Sequence, residues 1–98
     1  MSKRKNHDQS LKDVIRQMLD EAGLRKKFDE ASVVRAYHEV LGPSVSNRTK
    51  EVKVRERTLI VKLESSALKE ELSMNKSKLL QLINDHLGGI FIEDVEIW

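Results

Sequence analysis

The sequence holds no cysteine, a single proline, four glycines and four aromatic residues in 98 positions. Without cysteine there can be no disulfide, Cys-based zinc site, iron–sulfur cluster or thiol nucleophile. Secreted mini-proteins of this size usually need such staples, so the chain is expected in the cytoplasm, with nucleoid association compatible with its charge. No apolar run approaches the roughly 18–20 residues that cross a bilayer. The first nine residues are charged and lead into no apolar segment, which argues against a signal peptide. Phe28, Tyr37, Phe91 and Trp98 are too few to predict a stacking platform, because stacking needs exposed rings and two of these four fall at core positions. Trp98, at the very end of a strand, could be exposed, but packing at a sheet margin is the expectation.

Catalytic patterns are missing as well. His7, His38 and His86 lie 31 and 48 residues apart, without the i, i+4 spacing that brings two imidazoles to one metal. His38-Glu39 and Asp85-His86 are neighbours in sequence, and neighbouring helical residues point about 100° apart. There is no P-loop and no nucleophile–base pair. The expectation is a non-enzymatic protein with no cofactor, no metal, no membrane contact and no small-molecule substrate.

Charge is abundant, at 35% of residues, and unevenly placed. Residues 1–57 carry 14 Lys/Arg against 9 Asp/Glu, whereas residues 58–98 carry 4 against 7. A basic half suits a polyanion; a solvated surface is the plainer reading of the same residues. At 98 residues the chain is one domain, burying about 60–65% of its unfolded surface.

Residues 1–9 read as a disordered basic arm carrying Lys3, Arg4 and Lys5, and residues 10–98 as the domain. Leu11, Val14, Ile15, Met18, Leu19 and Ala22 share one face of a first helix, with Ser10 as N-cap and Gly23 as its left-handed stop. A connection over 24–28 leads to a second helix from about Asp29, its expected cap, to Leu41, with Val33, Tyr37, Val40 and Leu41 inward and Gly42-Pro43 as terminator. After a polar loop over 44–48 the period becomes two. Val52 and Val54, then Leu59, Val61 and Leu63, predict an antiparallel hairpin turning near Arg57-Thr58. Ser65-Ser66 opens a long helix to Leu87, with Leu68, Leu72, Leu79, Leu80, Ile83 and Leu87 inward, and residues 73–77 are polar enough to break it. Residues 90–98 read as a last strand, parallel to an earlier one if the crossover obeys the right-handed rule. The predicted class is α+β, a two-layer domain in the order α-α-β-β-α-β, with a three-stranded sheet covered by helices on one face.

Three segments carry a resemblance. Val34–Gly42, VRAYHEVLG, resembles the "aromatic, two residues, hydrophobic, hydrophobic, Gly" signature of the DciA family. Leu59–Leu72, LIVKLESSALKEEL, is similar to that family's "L-x-V-x-v-x-S-S-x-W/L-x-x-E-L" signature, and a helix ending Ile83-Asn-x-x-Leu-Gly88 before a closing strand at Ile92–Ile97 completes it. With Leu68 in place of Trp, the chain looks like the short single-domain form of Bacteroidetes-type bacteria. The resemblance implies a K-homology-like fold of type II character, contact with a DnaB-type replicative helicase, promotion of its loading, and association with DNA. Tyr37 stands where the family usually has Trp. Residues 73–77 occupy the place of the glycine-rich backbone clamp of K-homology domains yet hold no glycine.

Two site expectations follow. Arg48, Lys50, Lys53, Arg55 and Arg57 form a basic run in which Lys53, Arg55 and Arg57 alternate onto the face opposite Val52 and Val54. That spacing, about 13–14 Å over three cations, suits a phosphate backbone, and Lys3, Arg4 and Lys5 could add to it. The same cations could equally keep a hairpin soluble and blunt its edge. Arg35, Tyr37 and His38, at the centre of the first signature, are candidates for partner contact, with a core role the alternative for Tyr37. Single-stranded or forked DNA is the expected polymer, and an RNA-binding or ribosome-associated module the alternative; self-association through an open sheet edge is a third reading.

Overall fold

The computed structural model describes residues 10–98. The arm with Lys3, Arg4 and Lys5 lies outside the described residues. Eight elements follow in order: α1 Leu11–Ala22, α2 Arg25–Leu41, α3 Pro43–Ser46, β1 Thr49–Arg55, β2 Thr58–Leu63, α4 Ser66–Ser73, α5 Lys76–Leu87 and β3 Asp94–Ile97. The sheet runs β1-β2-β3. β1 and β2 pair antiparallel, closing at Arg55 opposite Thr58, while β2 and β3 pair parallel, with Leu59 opposite Val95. The α+β, K-homology-like two-layer class is therefore the observed one.

Each boundary has a local cause. Gly23 (φ 73°) and Gly88 (φ 76°) adopt the left-handed conformation that ends a helix, and no neighbouring atom would meet a Cβ at either. Their cost to an L side chain is thus in the backbone, not in packing. The Ser65 hydroxyl accepts the Leu68 amide at 3.2 Å, as an N-cap should. Ser10 makes no such bond and sits at φ 40°, so its expected capping role is not realised.

Several boundaries move. α2 begins at Arg25 rather than near Asp29, because Gly23 and Leu24 suffice to reverse the chain. Asp29 does not cap it; its carboxylate instead meets Arg25 at 3.4 Å and Arg16 of α1 at 3.8 Å. Pro43, pre-set for a first helical position, starts the one-turn α3 inside the expected loop. The long helix does break: Leu72, Met74 and Asn75 form a turn between α4 and α5. The last strand is only Asp94–Ile97, since residues 90–93 are held by other bonds.

Leu59, Val61 and Leu63 of β2, Val95 of β3 and Ile92 just before it meet Val33, Ala36 and Tyr37 of α2, Leu72 of α4 and Leu79 and Ile83 of α5. Full burial of each large aliphatic contributes about 1.5–3 kcal/mol. Apart from the Tyr37 hydroxyl, this core is built of apolar side chains. Asn84 ties its rim: Oδ1 accepts the amides of Phe91 (2.9 Å) and Ile92 (3.1 Å), while Nδ2 donates to the Ile92 carbonyl (2.9 Å).

α1 is different. Its apolar residues share one face as expected, yet none of them is buried, and Leu11 and Met18 are 73% and 61% exposed. The helix forms where predicted, but its apolar face is not spent on this core.

Candidate nucleic-acid interface

The helices cover one face of the sheet, so alternation fixes what the other presents. Since Leu59, Val61 and Leu63 point into the core, Thr58, Ile60 and Lys62 point out. Register then extends each row across the sheet. Lys53, Ile60 and Glu96 form the middle row, and Arg55, Thr58 and Asp94 the row nearest the hairpin turn. Glu51 and Lys62 begin the third, which Trp98 completes through its backbone bonds to Val61 and Leu63 (2.8 and 3.0 Å). Lys53, Arg55, Ile60, Lys62, Glu96 and Trp98 together line a shallow groove of about 260 Å³.

Charge on this face is split. Lys53, Arg55 and Lys62 lie on the β1–β2 side, with Arg48 and Lys50 exposed at the start of β1, whereas Asp94 and Glu96 lie on β3. Glu51 is the acidic exception, reaching Lys62 at 3.4 Å and Lys53 at 3.8 Å. Such half-exposed pairs are weak, on the order of 0–1 kcal/mol, so an incoming phosphate can displace them. Lys50 is the residue where the β1–β2 register shifts between Thr49 and Glu51, which leaves consecutive side chains exposed.

The predicted basic run is thus only partly one surface. Lys53 and Arg55 share the open face as expected. Arg57 does not: it sits in the hairpin turn with φ 60°, donates to the Ile90 carbonyl at 2.8 Å and pairs with Glu93 at 3.1 Å. The turn occupies Glu56-Arg57, one residue earlier than expected, and that shift takes Arg57 out of the strand's alternation. Two members of the groove were missed. Lys62 was readable as an outward strand position between Val61 and Leu63. Trp98 was expected against the sheet margin; it is instead 59% exposed, with its indole N–H only 3.4 Å from Glu96.

The signature residues of α2 separate. Tyr37 is fully buried, its hydroxyl donating to Thr49 Oγ1 (3.0 Å) while that hydroxyl donates to the Val45 carbonyl (2.8 Å). The core alternative is the one realised, and a partner does not reach this ring. Burial is the main cause that raises its phenol pKa, partly countered by the Thr49 bond. His38, half-buried, packs edge-on against Tyr37 with ring centres 5.2 Å apart, and its Nδ1 bonds the Ser46 hydroxyl of α3. Arg35 alone is exposed, on a cleft of about 320 Å³ that it lines with Phe28, Glu39 and His86.

A larger cavity of about 420 Å³ beside the hairpin turn has Lys26 and Arg57 facing Asp29, Glu30, Glu56 and Glu93. Four carboxylates against two cations disfavour a polyanion there. Among the described residues no cluster of three His, Asp or Glu could hold a metal, and no helix is long and apolar enough to cross a membrane. A search of curated proteins finds no match. The family model described as "Dna[CI] antecedent, DciA" matches residues 10–97, which includes every residue of the sheet and of the helices that cover it. The chain belongs to the DciA family.

Proposed function

We propose that this protein is a non-enzymatic adaptor for loading a DnaB-type replicative helicase, and that its open sheet face holds single-stranded DNA without reading its sequence. Family membership supports the helicase-loading role. The observation that carries the DNA part is the grouping of Lys53, Arg55 and Lys62 beside the exposed Trp98 ring. Cations neutralise phosphates and release counterions, and an indole face accepts any base, with stacking contributing about 1–3 kcal/mol per base. Arg48 and Lys50 extend the basic side along β1. Helicase docking uses a second surface on the helical layer, where Arg35 and His38 of the family signature lie.

Fluorescence anisotropy with a labelled oligothymidylate, titrated at several salt concentrations, tests the DNA face. Replacing Lys53, Arg55 and Lys62 together by Ala is expected to flatten the log–log salt slope by about 2, at roughly 0.7 per phosphate contact on a single strand. Trp98→Ala is expected to weaken binding about tenfold or more while leaving the slope unchanged. An unaltered slope in the triple variant would eliminate this face. An oligouridylate bound more tightly than the DNA would make RNA the ligand. Biolayer interferometry against the replicative helicase of the same organism tests the other surface, with micromolar or tighter binding expected.

A further inference from the structure

The open face divides its charge in a way that phosphate contacts alone do not use. Its cations, Lys53, Arg55 and Lys62, stand on β1 and β2, and its far side, β3, presents Asp94 and Glu96. β1 and β3 lie two strand spacings apart, about 9–10 Å, which is the reach of one nucleotide from its phosphate to the outer edge of its base. A phosphate is drawn to the first side and repelled by the second. A single strand laid along β1 therefore turns its bases towards β3.

Three side chains meet those bases. Ile60, opposite Glu96 in the register, floors the groove of about 260 Å³, and Trp98 offers a ring to stack on. Glu96 lies at the edge of that ring, its Oε1 3.4 Å from the indole nitrogen. So long a bond leaves the carboxylate most of its accepting capacity, and Oε2 has no hydrogen-bond partner among the described residues. Lys53 and Lys62 pair with Glu51 rather than with Glu96. Asp94 is placed differently: it lies one row nearer the hairpin turn, and its Oδ1 accepts the Val95 amide at 2.8 Å.

We infer that this groove prefers guanine and that Glu96 is the residue that selects it, an inference that rests on the open face holding single-stranded DNA. A carboxylate only accepts hydrogen bonds. On the Watson–Crick edge, which a single strand leaves free, guanine alone offers two adjacent donors, N1–H and the N2 amino group, matched to the two carboxylate oxygens. Cytosine and adenine offer one amino group beside a bare ring nitrogen, and thymine one N–H between two carbonyl oxygens. Each of these turns at least one lone pair against the carboxylate. The phosphate contacts are blind to sequence and the indole accepts any base. Selection therefore belongs to Glu96.

Fluorescence anisotropy with three labelled dodecamers tests this: thymidine throughout, thymidine alternating with deoxyguanosine, and thymidine alternating with deoxyinosine, whose base lacks the N2 amino group. Lithium buffers keep guanine quartets from forming. The guanine strand is expected to bind about tenfold more tightly than the thymidine strand, the low end for bidentate recognition of a base, with the inosine strand between them. Glu96→Gln is expected to bring the guanine and thymidine strands within about twofold of each other. That variant also removes a negative charge and so tightens every strand, which makes the ratio of affinities the measure of selection. Equal binding of the guanine and thymidine strands by the wild type overturns the inference and leaves the DNA reading standing. An inosine strand bound as well as guanine overturns it too. So does a guanine preference that survives Glu96→Gln, by assigning the choice to stacking on Trp98. Failure of all three strands to bind overturns the DNA reading and this inference with it.

Discussion

Tyr37 shows how a single side chain can be conspicuous in sequence and serve the interior. Its ring fills the space between α2 and the sheet, and its hydroxyl hands a hydrogen bond through Thr49 to the end of α3. Burial disfavours the phenolate, so the folded pKa lies above the ordinary value near 10. As pH rises past 10, the unfolded chain loses this proton before the folded one does. The contribution is thus complete below about pH 10 and is lost as pH climbs through the folded pKa. Urea midpoints of the wild type and Tyr37→Phe should therefore differ by an amount that is constant from pH 7 to 9 and shrinks above 10. At neutral pH the lost hydroxyl is expected to cost about 1 kcal/mol. Asn84 is the opposite case. Nothing in its one-letter surroundings announces a residue that satisfies three backbone groups, because those groups belong to a loop seven and eight positions away.

At the level of elements, the hairpin turn is the most strained piece of backbone. Glu56 (φ 49°) and Arg57 (φ 60°) both take positive φ, as a two-residue type I′ connection demands, though neither is the Asn or Gly that tolerates it. Arg57 is compensated by Glu93 and the Ile90 carbonyl, and the Glu93 amide returns a bond to the Arg57 carbonyl at 2.8 Å. Among the described residues Glu56 makes no such compensating bond. Glu56→Asn is expected to raise stability by about 0.5–1 kcal/mol, measured by chemical denaturation, with no effect on DNA binding. That turn also explains what could be read in advance. Alternation gave the inward Val52, Val54, Leu59, Val61 and Leu63 and the outward Lys53 and Arg55, because period two depends on local sequence alone. It misplaced Arg57 because no Asn-Gly marked where alternation stops. The stripe on α1 was legible as a helix but not as a surface, since periodicity reports that an apolar face exists and is silent on what covers it. Lys62 was legible by the same alternation, whereas Trp98 joined the groove only through the pairing of β3 with β2, strands far apart in sequence.

For the whole molecule, the pairing of β2 with β3 has a kinetic consequence. Thr58 and Asp94 are neighbours in the sheet, but the chain between them must first form α4, the Met74-Asn75 turn and α5. The β1–β2 hairpin closes through two residues and can form in microseconds, whereas docking β3 requires closing a loop of more than thirty. The rate-limiting barrier should therefore be crossed with the hairpin largely formed and β3 still loose. Val95→Ala, at a fully packed position in β3, is expected to destabilise by about 2 kcal/mol. Nearly all of that should appear as roughly thirtyfold faster unfolding, with refolding almost unchanged. Val61→Ala in β2 should instead slow refolding. Stopped-flow chevron plots of the two variants separate these outcomes. If β3 is the last strand to dock and the first to leave, its brief departures uncover a row of β2 amides and carbonyls. The domain would then spend its excursions from the native state as an intact hairpin with one raw edge, and its shelf life in concentrated solution would be set by how quickly the same β3 returns.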